Sequence, residues 1–267
     1  MRQILKQVIG IDVAMSELVC VAAQQDVDQQ IEIVGKKSFE NTHQGFAKLV
    51  AWKESCFEQT KLLKERESRV WFLMEATGVY NQELAYYLVG EGEQVSIQLA
   101  NKVKNFSRSL NTKSKTDLMD AEVIAQLGLE RKVAAWKPPS DKMRQIRSLG
   151  REYSELREKR SRIKNQLHAL EKAYQTSPKI LQRHQRQKAF YTDLMEEVEV
   201  ELKMIIQEDE FLREKMRRLK TIPGVGFMTL IIVIGETQGF SLIRNSRQMV
   251  SYAGLDVVEK QSGKSRG

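Results

Sequence analysis

The chain is poor in the residues that build stapled or metal-clipped folds. Its 267 residues include only two cysteines, Cys20 and Cys56. Two thiols cannot make a disulfide framework or, by themselves, a zinc site, so secreted miniproteins and zinc fingers are excluded. Histidine is almost as scarce, and none of His43, His168 and His184 lies in a motif. No apolar run approaches the roughly 20 residues that a membrane-spanning helix needs, and Leu230 to Ile234 is only a short core segment. GxGxxG, Walker and HExxH patterns are all missing, which speaks against a cofactor-dependent small-molecule enzyme. Without a signal-peptide pattern, a reducing cytoplasm is the expected compartment, with no membrane partner.

What is abundant is positive charge, unevenly spread. Lys+Arg 43 against Asp+Glu 35 gives a net charge of +8, as expected of a chain with a polyanionic partner. Between Lys137 and Phe190 fifteen Lys/Arg face five Asp/Glu; between Tyr191 and Glu210 one faces eight. The basic stretch has the density of a phosphate-tracking surface, with Arg144, Arg147 and Arg151 as candidate contacts. A solvated helix of mixed charge is the competing reading.

Residues 6–39 read as three strands: Gln7 to Val13, Glu17 to Ala23 and Gln30 to Phe39, separated by short polar turns. Asn41-Thr42 supplies a helix cap. Val70 to Met74 is a continuous apolar run, as expected of a strand covered on both faces. Gln94 to Leu99 is a fifth strand. The order β-β-β-α-β-α-β-α predicts an α/β fold, a mixed sheet of ribonuclease-H type. Lys137-Pro138-Pro139-Ser140 marks a boundary, because paired prolines cannot continue a helix. Sparse heptad-like apolar positions then predict two long helices, to Lys172 and from Lys179 to Lys220, as a hairpin or coiled coil. After Thr221 an apolar helix from Met228 to Ile234 is expected to end at Gly235, with a short helix over Ser246 to Gly254. The expected domains are 1–136, 140–219 and 220–267. In Pro223-Gly224-Val225-Gly226, the glycines allow either close backbone approach to a phosphate or simply a turn with φ > 0.

Four acids stand where chemistry is plausible. Asp12 closes the first strand, and Glu75 follows the buried fourth one. Asp117 and Asp120 open a helix running to about Glu130, three residues apart and hence on one face. If the first and fourth strands are neighbours, Asp12 and Glu75 converge at one edge and the helix brings the other pair opposite them. Four hard oxygen donors suit Mg²⁺ or Mn²⁺, and paired ions can clamp the attacking and leaving oxygens of a phosphodiester. Each acid also has a bland reading; Asp117, for instance, could complete a capping box with Ser114.

Gly10-Ile11-Asp12-Val13, Met74-Glu75-Ala76-Thr77-Gly78-Val79-Tyr80, Val103-Lys104-Asn105-Phe106 and Lys115-Thr116-Asp117 occur in an order and spacing that resemble the DEDD insertion-sequence transposases. These are bridge-RNA-guided serine recombinases related to the Piv-type DNA invertases. The likeness extends through Asp120-Ala121-Glu122-Val123-Ile124-Ala125, Ile222-Pro223-Gly224-Val225-Gly226 and Tyr252-Ala253-Gly254-Leu255. It implies a RuvC-like domain whose Asp12, Glu75, Asp117 and Asp120 bind divalent metal. It also implies a coiled-coil region supporting a homodimer or homotetramer, and a C-terminal transposase domain. By position the nucleophile is Ser262, with Ser265 next, and Lys264 or Arg266 offsets phosphate charge. The implied partners are donor and target DNA and a structured noncoding guide RNA. Lys104, Lys115, Gly224 and Gly226 join the arginines as candidate nucleic-acid contacts. Because the resembled proteins continue past this loop, an incomplete C-terminal domain is expected in a chain ending at Gly267. The rival expectations are a hydrolytic junction nuclease using the same acids, and a noncatalytic nucleic-acid-binding scaffold.

Overall fold

The computed structural model describes residues 3–58, 70–76, 78–110 and 116–255, together with the backbone of 261–262 and 265–266. It divides into two compact units, Met1–Pro138 and Pro139–Gly267.

Unit 1 is built on a five-stranded sheet. Strands β1 (Ile4–Val13), β2 (Glu17–Asp26) and β3 (Ile31–Glu40) form an antiparallel meander. β4 (Trp71–Glu75) and β5 (Gln94–Gln98) add on parallel to β1, giving the order β3-β2-β1-β4-β5. This is the mixed α/β sheet that the strand order predicts. β1 starts and β2 ends three residues beyond the expected runs, β3 and β4 are shifted by one, β5 stops at Gln98 rather than Leu99, and Glu75 is the last residue of β4 rather than the first beyond it.

Period-two alternation along β1 sorts its side chains to two faces. Ile9, Ile11 and Val13 pack with Phe46 and Leu49 of α1 (His43–Phe57) and with Leu84 and Leu88 of α2 (Gln82–Gly90). Val8 turns the other way, toward Val103 and Phe106 of α3 (Ala100–Ser109) and Ile124 of α4 (Asp117–Glu130). Thr42 caps α1, its hydroxyl accepting from the Gly45 N–H at 3.2 Å. Covering both faces explains the uninterrupted apolar run of β4.

The β1–α4 contact depends on small residues. A Cβ on Gly10 would lie 2.3 Å from both the Ala121 carbonyl oxygen and the Ala125 nitrogen. One on Gly128 would lie 2.8 Å from Val8 and Leu73 side-chain atoms. Glycine in a strand interior costs stability unless a backbone must approach closely, and here one does.

Unit 2 carries a helical hairpin of α5 (Asp141–Lys172) and α6 (Pro178–Gln207), followed by α7 (Glu210–Leu219), α8 (Phe227–Glu236) and α9 (Ser246–Tyr252). One cluster joins Ile146 and Leu156 of α5, Leu202 and Ile206 of α6, Met216 of α7, and Ile231 and Ile234 of α8. The hairpin and the segment from 220 onward therefore share a core. Two local expectations need correction. The helix expected from Lys179 to Lys220 is two helices, because the Asp209 carboxylate caps a new start by accepting from the Leu212 N–H at 3.0 Å. Gly235 does not end α8 but lies inside it, where a Cβ would meet the Arg147 Cα at 3.0 Å. Its absent side chain lets α8 approach α5.

Candidate active site

β1 and β4 are parallel neighbours paired Val8↔Trp71 through Ile11↔Met74. One step further in that register, Asp12 stands beside Glu75. Alternation puts both on the α4 face, since Val8 and Leu73 belong to the α4 cluster while Ile11 and Met74 belong to the other. α4 runs back over β1: Gly128 lies at Val8, Ala125 and Ala121 at Gly10. Its first turn, with Asp117 and Asp120, thus comes toward the Asp12 end of the strand.

Electrostatics report the same convergence. The Asp12 carboxyl is pushed up from 3.8 to about 6 by burial first, then by the charges of Asp117, Asp120 and Glu75. Burial and like charge both disfavour the ionised form, and a cation among these oxygens would reverse the second effect. The donor set therefore fits a hard divalent ion such as Mg²⁺ or Mn²⁺. Among the described residues, no group of three His, Cys, Asp or Glu side chains is drawn close enough to hold an ion as it stands.

Thr116 caps α4, its hydroxyl accepting from the Met119 N–H at 3.2 Å. Ser114 lies outside the described residues. With Thr116 at the cap, Asp117 and Asp120 occupy the first turn, where the helix dipole favours negative charge. The surrounding framework contains residues that sequence reasoning missed. The side-chain amide of Asn41 donates to the carbonyls of Ala14 at 2.9 Å and Tyr80 at 3.1 Å, tying together the segments that follow β1 and β4. Asn81 donates to the Glu75 carbonyl at 3.1 Å. Lys36 of β3 forms an ion pair with Glu122 of α4. Gly10 could have been singled out as a glycine inside a strand pattern, and Ala121 and Ala125 as small residues one helical turn apart. Asn41 gave no signal beyond a helix start.

The other candidates are more dispersed. Lys104 is exposed on α3. Lys115 and Lys264 lie outside the described residues. Ser262 is in the two-residue strand β6 (Gln261–Ser262), paired across to Ser265 of β7 (Ser265–Arg266). Gly224 has φ +78, and both Gly224 and Gly226 face open space. A positive φ requires this turn to have glycine whether or not a phosphate visits it. Arg144, Arg147 and Arg151 of α5 have partners within unit 2. Arg151 makes a two-pronged bond to Glu236 at 2.6 and 2.9 Å, Arg147 donates to the Gly235 carbonyl at 3.1 Å, and Arg144 pairs with Asp141.

The mixed sheet, with Asp12 and Glu75 on neighbouring parallel strands and Asp117 and Asp120 on the helix that covers them, belongs to a chain of the transposase class. Residues 9–174 match the IS110-type DEDD transposase family, and residues 216–267 match a second transposase family, IS116/IS110/IS902. The chain belongs to the IS110-type DEDD transposase family. It is 27% identical over 263 residues to the pilin gene-inverting protein of Moraxella lacunata, spanning 97% of this chain and 74% of that protein. The Moraxella bovis protein of the same name is 26% identical over the same shares. Among solved structures, Thermus thermophilus RuvC in complex with a Holliday junction substrate aligns with 45% of this chain and 90% of its own, at 16% identity and TM-score 0.29. The yeast mitochondrial Holliday junction resolvase Ydc2 aligns with 47% of this chain and 79% of its own, at 13% identity and TM-score 0.29. Among the described residues no helix is long and apolar enough to cross a membrane.

Proposed function

We propose that this chain is an RNA-guided DNA recombinase that cuts and rejoins strands through a serine–DNA linkage. The observation that carries the reading is the placement of Asp12 and Glu75 on adjacent parallel strands, under the α4 turn bearing Asp117 and Asp120. Asp12, Glu75, Asp117 and Asp120 would hold Mg²⁺ or Mn²⁺, which supplies charge neutralisation at a phosphodiester. The residues' own tasks are separable. Glu75 and the α4 pair set a field of negative charge that only a cation-bearing substrate complex relieves. Asn41 ties together the chain beyond both acid-bearing strand ends, so the backbone that carries Asp12 and Glu75 is fixed and the adjustment to a bound ion falls to the side chains. Ser262 would attack phosphorus, its hydroxyl oxygen forming the new ester bond while the departing sugar oxygen takes a proton; Ser265 is the second candidate. Lys264 and Arg266 would face the charge developing on the phosphate. A homodimer or homotetramer, with donor DNA, target DNA and guide RNA as partners, completes the reading.

The test is a denaturing gel of cleavage reactions. The expected result is protein attached to a cut DNA end, lost in Ser262→Ala and in Glu75→Ala. Cut DNA with free ends would establish the hydrolytic junction nuclease instead. DNA rearrangement unaffected by Glu75→Ala and Asp120→Ala would leave only a binding scaffold. An adduct that survives Ser262→Ala but not Ser265→Ala moves the nucleophile by three residues.

A further inference from the structure

Unit 1 contains a second feature, separate from the four acids. A groove of about 460 Å³ runs between α3 and the end of α4. Lys102, Asn105 and Ser109 line it from α3, at positions i, i+3 and i+7 of one helix face. Arg131 and Lys132, just past α4, line it from the other side. Among the described residues no acid lines it, and Lys102, Arg131 and Lys132 are all exposed.

Two details adapt this groove to an anion. The C-terminal end of a helix carries partial negative charge, which would repel a phosphate lying against α4. Lys6 offsets that charge, its ammonium donating to the carbonyls of Gly128 and of Arg131, the latter at 2.8 Å. The Arg131 guanidinium stands 5.9 Å from the Phe106 ring centre, so the groove floor orients it. Phe106 is only 7% exposed, and among the described residues no other aromatic lines the groove. A strand lying here would therefore find cations and polar groups for its backbone, but no face on which to stack a base.

We infer that this groove holds the sugar-phosphate backbone of one nucleic-acid strand without reading its sequence. The inference rests on the proposed nucleic-acid function and adds a binding surface to it. The strand could come from guide RNA or from opened DNA, which share this chemistry.

The experiment uses the full chain, the triple variant K102Q/R131Q/K132Q and the charge-keeping variant K102R/R131K/K132R. Each is titrated over a salt series with short labelled oligouridylate, oligothymidylate and duplex DNA. We expect the triple variant to bind a single strand at least about ten-fold more weakly, with a log–log salt slope flatter by about 2, at roughly 0.7 per lost phosphate contact. The charge-keeping variant should stay near the parent. Whichever single-strand arm shows the loss names the source of the strand. Should the triple variant fail to fold, Lys102→Gln and Lys132→Gln alone should each flatten the slope by about 0.7. Unchanged slopes on both single strands, or a loss confined to the duplex, overturn the groove and leave the recombinase reading standing. A parent that binds none of the three probes defeats that reading instead.

Discussion

At the scale of single residues, Asp12 and Gly10 show how the candidate site trades against stability. Asp12 has a folded pKa of about 6 against an ordinary 3.8, so between those values the native state binds the extra proton. Stability should then fall as pH rises from about 4 to about 6, because ionising Asp12 among its neighbours opposes folding. Asp12→Asn removes that cost. In metal-free buffer at pH 7.5 it should unfold later than the parent by about 1 kcal/mol, a figure discounted for the partial exposure of the group. The gain should shrink toward zero near pH 4, and thermal melts at the two pH values check it. A variant no more stable than the parent at pH 7.5 would remove the electrostatic argument for the cluster. Gly10 acts by shape alone. Its missing Cβ is all that lets Ala121 and Ala125 sit against β1, so Gly10→Ala should cost about 1–3 kcal/mol by overpacking. It should also weaken Mn²⁺ binding, since α4 carries Asp117 and Asp120. Urea unfolding and a metal titration measure the two effects; a neutral Gly10→Ala would mean that α4 has room to move.

At the scale of elements, α5 separates two kinds of basic residue. Arg147 and Arg151 spend donors on the end of α8, where Gly235 allows close approach, whereas Arg157, Arg162 and Lys164 are exposed further along the helix. Arg151→Gln should therefore lower the stability of unit 2 by about 1 kcal/mol, as for a hydrogen-bonded surface ion pair, and change the salt slope of RNA binding little. Glutamine at Arg157, Arg162 and Lys164 should flatten that slope by about 2 with stability unchanged. Equal slopes for both sets would reduce the distal helix to a solvated surface. The same helix shows why sequence reading goes only so far. Local signals placed α4 within a residue or two, because Asp117 and Asp120 mark its first turn, although its cap, Thr116, was not singled out. Sheet neighbours were inferable from the order of the strands, since a meander followed by crossover helices leaves β4 few places to pair but beside β1. The partners of Arg147 and Arg151 were not legible, because they depend on a helix more than eighty residues away. Nor was the Asp209 break: a lone aspartate in an acidic run looks like more helix until its carboxylate is seen capping Leu212.

At the scale of the molecule, the two units divide the proposed chemistry between them. All four acids lie in Met1–Pro138, and Ser262 lies in Pro139–Gly267. Unit 1 has apolar clusters on both faces of its sheet, and its last segment is tied back onto β5. The Trp136 N–H donates to the Val95 carbonyl at 2.8 Å, and the Ser96 hydroxyl donates to the Ala134 carbonyl at 2.7 Å. Those bonds close the edge strand before the paired prolines, so residues 1–138 contain every element their sheet needs. A fragment of residues 1–138 should therefore unfold cooperatively and bind Mn²⁺ with an affinity within about two-fold of the full chain, the usual tolerance for independent sites. It should form no covalent link to DNA. Calorimetry on the fragment and a denaturing gel beside the full chain read the two properties separately. Metal binding that vanishes with unit 2 would make the acids dependent on the second unit, and an adduct on the fragment would place the nucleophile among the first 138 residues. Either outcome would dissolve the division of labour, which requires the cation and the attacking serine to be supplied by separately folded parts of one chain or of two copies.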